Sequence, residues 1–209
     1  MSAPLVVPKP RRTQAERRDQ SERLLLQAAA ELIVERGINS ATFENIGARA
    51  GYSRGLATQK FGSKQGLIEA LIAQLHFRLE ELLSERNFED LPALEAILTF
   101  VDVFLRNLDE DGEKRAYFML MAGAIADRSA QRGPFAQAHL NVERRLEAIV
   151  QRGQADGSIR AEIDADAAAL MVGSLLLGLS MQLLIDPQMN LAPIRDTSLA
   201  ALRQSFAAS

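Results

Sequence analysis

Apolar residues recur along this chain at intervals of three and four, and no stretch of useful length alternates apolar with polar as a half-buried strand does. The pattern predicts an all-α fold of about nine helices. Leu25, Ala28, Ala29, Leu32 and Ile33 form the stripe of a first helix, opened by the capping-box pair Thr13 and Glu16 and closed at Gly37. Thr42 caps a short second helix carrying Phe43, Ile46 and Ala50. The corner Gly51-Tyr52-Ser53 leads to a third, capped by Ser53 and running to about Lys60. Ser63 caps a longer fourth helix with Leu67, Ile68, Leu71, Ile72, Leu75 and Leu79 along one side. Further helices are expected at residues 92–108, 113–127, 134–155, 165–185 and 193–206. They are separated by the turns Asp109-Glu110-Asp111-Gly112, Gly133-Pro134, Asp156-Gly157-Ser158 and Asp186-Pro187.

Residues 167–185 carry no charge and just reach the length that spans a bilayer. Gly173, Ser174, Gly178, Ser180 and Gln182 interrupt the run, no Trp or Tyr marks its ends, and Asp164, Asp166 and Asp186 flank it. A buried helix, with no membrane contact, is the expectation. Residues 1–12, with three prolines and Lys9, Arg11 and Arg12, lack the apolar run of a secretory signal and read as a flexible basic arm.

The 209 residues are 47% hydrophobic and 24% charged, enough to bury a core and too little charge bias for a disordered chain. With no cysteine, disulfides, thiol nucleophiles and thiolate metal sites are excluded, and a reducing, cytoplasmic compartment is expected. The net charge of −3 hides a split: residues 1–75 hold 11 Lys and Arg against 7 acids, whereas residues 76–209 hold 13 against 20. A basic front on an acidic remainder points to a nucleic-acid-facing module attached to something else.

Two short helices across a glycine corner form a helix-turn-helix, whose second helix enters the major groove. Gly47 and Ala57 are small enough for a close crossing, Phe43, Ile46 and Phe61 fill the wedge, and Gly51 supplies a positive φ. The outer face of the second short helix then presents Ser53, Arg54, Gly55, Thr58 and Gln59, with Lys60 at its end. Arg54 is suited to reading guanine O6 and N7, and Gly55 to a close backbone approach. Thr42 and Lys64 stand at helix starts, where free amides favour phosphate, and Lys60 adds a mobile charge for the DNA backbone.

The stretch from Leu24 to Leu71 strongly resembles the DNA-binding domain of the TetR family of transcriptional regulators. The resemblance rests on Ala28-Ala29, Glu35-Arg36-Gly37, Thr42, Ile46, Arg49-Ala50-Gly51, Ser53-Arg54-Gly55, Phe61, Ser63-Lys64 and Leu67, in register without a gap. Thr58 and Lys60 stand where the family usually carries Tyr and His. The resemblance implies a ligand-responsive homodimeric repressor on a palindromic double-stranded operator, with a DNA-binding domain at residues 13–75 and a helical effector-binding and dimerisation domain at 76–209. Within the latter, Phe100, Phe104, Tyr117, Phe118, Met121, Ile125, Phe135, His139 and Val142 are candidates for lining the pocket of an unknown small-molecule effector. Leu170, Ser174, Leu175, Gly178, Leu199, Leu202 and Phe206 are candidates for the dimer interface, the small ones permitting close helix approach.

Three other readings compete. Gly51-Tyr52-Ser53-Arg54-Gly55 matches the G-x-S-x-G nucleophile elbow, but that motif needs a strand before the serine, and helical spacing precedes it here. His76 with Glu80 and His139 with Glu143 lie one helical turn apart, two ligands each, fewer than a metal site needs. No enzyme activity, metal or cofactor is therefore expected. The alternative function is a helical protein-docking or lipid-binding module that never meets DNA.

Overall fold

The computed structural model describes residues 13–106, 108, 112–127 and 132–208. The expected basic arm and the turn at 109–111 lie outside the described residues. Among those described there are nine α-helices: α1 Gln14–Arg36, α2 Phe43–Ala50, α3 Arg54–Phe61, α4 Lys64–Ser84, α5 Ala93–Arg106, α6 Gly112–Ala126, α7 Arg132–Asp156, α8 Ala165–Ile185 and α9 Leu191–Phe206.

Local chemistry places the boundaries. Thr13 and Glu16 form the reciprocal capping box of α1, which ends at Gly37 with φ 84°. A short 3-10 turn, Ile38–Ser40, follows, and the Ser40 hydroxyl donates to the Leu32 and Gly37 carbonyls at 2.8 and 2.7 Å. Thr42, Ser53 and Ser63 each accept a backbone N–H from three residues ahead, opening α2, α3 and α4. Between α4 and α5 the chain turns at Asn87, whose φ of 50° is the one positive value at a non-glycine position among the described residues.

Helices α1 to α4 form the front of the molecule, and α1 also lies along α6, so one continuous core joins front to back. A methyl on Gly123 of α6 would stand 2.6 Å from Ile38 Cδ1, which makes that contact depend on a bare backbone. Behind, α5 packs between α7 and α9, and α8 lies along α7. The bidentate pair from Arg203 to Glu95, 2.6 and 3.0 Å, fastens α9 to α5. Arg160 donates to the Ala207 and Gln204 carbonyls and pins the C-terminal residues.

The apolar α8 is less buried than the sequence suggests. It is long and apolar enough to cross a membrane, and only a third of its most apolar window is covered within this chain. Its Val172, Leu176 and Leu183 face inward, while Leu170 and Met171 stand 56% and 47% exposed. The uniform apolarity has two causes, one side packing on the core and the other offered outward.

Candidate nucleic-acid interface and effector cavity

The helix-turn-helix is built around close backbone approach. A Cβ on Gly47 would meet the Ser53 carbonyl carbon at 2.9 Å and the Arg54 nitrogen at 3.0 Å, so α2 crosses the start of α3 as only glycine permits. Gly51 supplies the left-handed corner, φ 76° and ψ 26°. Ile46, Ala57 and Phe61 are buried behind it, and Phe43 stacks on Phe61 with ring centroids 6.3 Å apart. The outward face of α3 is thereby determined: Ser53, Arg54, Gly55, Thr58 and Gln59 are exposed, as are Thr42 and Lys64 at the neighbouring helix starts. Among the described residues the Arg54 guanidinium has no hydrogen-bond partner and points from the first turn of α3 into open space. Thr58 donates to the Arg54 carbonyl at 3.0 Å, and Ser53 spends its hydroxyl on the Leu56 N–H. That serine therefore caps a helix between two helices, without the preceding strand that a nucleophile elbow needs.

Lys60 departs from its expected place. Its ammonium donates to Glu22 Oε2 at 2.8 Å and to the Arg18 carbonyl at 3.0 Å, and its side chain is only 10% exposed. Rather than offering a mobile charge to phosphate, Lys60 ties the end of α3 to α1. The sequence could not show this, because Arg18 and Glu22 are some forty residues away. A second tether was also missed: Arg49 of α2 forms a bidentate pair with Glu35 at 3.0 and 2.7 Å and reaches Glu31 at 3.3 Å. The hydrogen bond from Arg49 holds the Glu35 carboxyl below its ordinary pKa. Both tethers brace the reading module from behind and leave Arg54 and Lys64 as its outward cations among the residues the sequence singled out.

Between α4, α5, α6, α7 and α8 lies a cavity of about 190 Å³. Of the pocket candidates, Phe100, Phe104, Tyr117, Phe118, His139 and Val142 line it. Three candidates do not. Met121 packs with its sulfur 3.2 Å from His139 Nε2, Phe135 backs Tyr117 with centroids 5.2 Å apart, and Ile125 is 56% exposed on the far face of α6. A helical stripe of apolar residues does not say which members face a void and which face a neighbour. Lys114, buried beside Phe104 with its ammonium 5.4 Å from the ring centroid, and His76 from α4 join Glu143 and Ser174 in the polar lining. Burial holds both imidazoles below their usual pKa, the adjacent glutamates opposing it, and His76 adds to the lowering at His139. The sequence pairs each histidine with a glutamate on its own helix; the fold brings the two histidines to one cavity.

A separate shallow groove of about 540 Å³ runs between α8 and α9. Leu175 and Leu202 line it, but Leu202 and Phe206 are 4% and 2% exposed and belong to this chain's own core, where α9 packs on α5. Leu170 and Ser174 turn instead to the cavity mouth, Gly178 is exposed and Leu199 half-buried. The exposed Met171 and Ala201 and the half-buried Ile194 form a wall of the groove that the sequence pattern did not single out. Their signal was present as an i, i+7 pair of apolar positions on α9, weaker than the leucine stripe facing the core.

An exposed recognition helix, carried on a glycine-tight corner and braced by ion pairs from behind, is the DNA-binding module of a helix-turn-helix regulator. Comparison with known proteins says the same. The family described as bacterial regulatory proteins, tetR family, matches residues 25–71. The HTH-type transcriptional repressor Rv3405c of Mycobacterium tuberculosis is 31% identical over 156 residues, 75% of this chain and 72% of that protein. The HTH-type transcriptional repressor BepR of Brucella suis is 34% identical over 82 residues, 39% of each chain. A TetR-family regulator from Rhodococcus superposes with a TM-score of 0.78 at 23% identity, covering 90% of this chain and 100% of its own. The SmeT–triclosan complex does so at 0.73 and 23%, covering 91% and 93%. This chain belongs to the tetR family and is a DNA-binding transcriptional regulator. A docking module that never meets DNA is accordingly set aside.

Proposed function

We propose that the chain is a homodimeric, effector-released repressor, acting in the cytoplasm on a palindromic operator. Residues 13–75 serve as the DNA-binding domain and 76–209 as the domain that dimerises and holds the effector. The observation carrying the DNA contact is the unpartnered Arg54 at the exposed start of α3. Gly55 supports the same reading. A methyl there would meet within the protein only Ser53 Oγ, at 3.7 Å, so the fold itself does not call for the helix-weakening glycine, whereas a DNA surface close to the backbone does. Thr42, Ser53, Thr58, Gln59 and Lys64 surround it as sugar–phosphate and base-edge contacts. Lys60 contributes by holding α3 in place.

The open groove between α8 and α9 supports the dimer. Its wall of Met171, Leu175, Ile194 and Ala201 suits an identical helix pair, and two such pairs make a four-helix interface. A two-fold dimer sets two α3 helices about one DNA turn, ~34 Å, apart. The cavity supports the effector role. His76 lines it from the same helix whose first turn carries Lys64, so a ligand that shifts α4 also shifts α3. A ligand releases DNA only through unequal affinity for the two forms; a 100-fold loss of operator affinity needs about 2.7 kcal/mol. The SmeT neighbour, solved with triclosan, has its place in this reading as a protein of the same fold that holds a small molecule.

Selection of bound fragments from random duplexes, followed by titration of the enriched site, tests the reading. A two-fold-symmetric site bound by two chains is expected; enrichment of an asymmetric site bound by one chain contradicts it.

A further inference from the structure

Tyr117 carries the most buried hydroxyl on the cavity lining, and no residue of this chain completes its bonding among the described residues. Its ring is 8% exposed, packed edge-on against Phe118 and Phe135 at centroid distances of 5.0 and 5.2 Å. It lines the cavity, and among the described residues its hydroxyl has no hydrogen-bond partner. Ser180 turns its hydroxyl back to the Leu176 carbonyl at 2.7 Å, whereas the Tyr117 hydroxyl is left to the cavity. Burial pushes the phenol up to about 12, so at neutral pH it remains a donor awaiting an acceptor.

Charge and size narrow what that acceptor belongs to. Lys114 and Glu143 carry opposite charges in the wall, and both histidines are held toward their neutral forms. The lining therefore has no surplus of either sign to repay the desolvation of an ion. At about 190 Å³ the cavity is smaller than the ~300–1,000 Å³ of drug-sized pockets and somewhat larger than the ~150 Å³ that accepts benzene. Phe100, Phe104 and Phe118 give it aromatic walls.

Resting on the reading of this cavity as the effector site, we infer that it takes a compact, uncharged, two-ring-sized apolar molecule bearing one carbonyl-type oxygen, which accepts the hydrogen bond of Tyr117. The hydroxyl supplies orientation and the aromatic walls supply most of the affinity.

Isothermal titration calorimetry on the full chain tests this with four naphthalenes. They are 2-acetonaphthone, its isostere 2-isopropenylnaphthalene in which methylene replaces the oxygen, 2-naphthoate and 2-naphthylmethylammonium. The proteins are wild type, Tyr117→Phe and Gly173→Leu. Gly173 lines the cavity and a Cβ there meets nothing within 4 Å, so a larger side chain has room to start at that position. The ketone is expected to bind wild type about tenfold tighter than the alkene, an advantage that vanishes in Tyr117→Phe while alkene affinity is unchanged. Gly173→Leu is expected to lose both. Equal affinity for ketone and alkene, a charged congener binding tightest, or a ketone advantage surviving Tyr117→Phe overturns the inference. In those cases the cavity reading stands as long as Gly173→Leu abolishes binding. If none of the four binds wild type, or binding survives Gly173→Leu, the effector-cavity reading falls as well.

Discussion

Three cations near the recognition helix do three different things, and position alone separates them. Arg54 is exposed without a partner among the described residues, Lys64 is exposed at a helix start, and Lys60 is turned inward onto Glu22 and the Arg18 carbonyl. Lys64→Ala should weaken binding to all duplexes about equally and lower the slope of log affinity against log salt by about one. Lys60→Ala should leave that slope unchanged and instead cost about 1 kcal/mol of stability, since it removes an ion pair with an exposed acid. Titrations at several salt concentrations beside thermal melts check both. The caps at Thr13, Thr42, Ser53 and Ser63 were legible in the sequence because capping is a three-residue affair. Lys60 was not legible: its partner lies 38 residues away, and a lysine's spacing on a helix does not reveal what folds over it.

At the scale of elements, close approach links reading head to cavity. A Cβ on Gly66 would fall well inside van der Waals contact with the Phe61 carbonyl oxygen, so the end of α3 and the start of α4 share one tight junction. Gly66→Ala should therefore cost roughly 1–3 kcal/mol, visible as a lowered melting temperature and weakened operator binding together. Every helix of this account was legible from its periodicity, to within a few residues at the ends. Which helices touch was not, and α1 lying along α6 through Gly123 and Ile38 left no trace in local pattern. The α1–α2 clamp adds a pH dependence. Because Arg49 depresses the folded-state pKa of Glu35, the stabilisation is fully present above the unfolded carboxylate pKa and is lost as pH falls through the folded value. Acid melts of wild type against Glu35→Gln, expected to differ less as the pH falls, measure it.

For the whole molecule, the open face of α8 and α9 explains a helix apolar on every side in a chain that leaves much of it uncovered. Ala201→Arg places a charge in the middle of that groove and should yield a folded monomer by sedimentation, with operator affinity reduced at least tenfold. The groove's true wall was only partly legible. Leu202 and Phe206 stand out by size and lie in the core, while the exposed Ala201 and the half-buried Ile194 line the groove beside them. The histidines make a second acid response. Both have folded-state pKa values below 6.5, so the unfolded chain binds more protons between the folded and unfolded values, and stability falls as pH drops below about 6.5. A His76→Gln variant should flatten that part of the melting-temperature profile.

We assign the reading of base edges at the exposed start of α3 to Arg54. Fluorescence anisotropy with a selected operator and a scrambled duplex, for wild type and Arg54→Ala, tests it most directly. Arg54→Ala is expected to lose about ten- to hundredfold on the operator and far less on the scrambled duplex, so that discrimination collapses while the salt dependence largely remains. An Arg54→Ala protein that keeps the wild-type ratio between the two duplexes would contradict it.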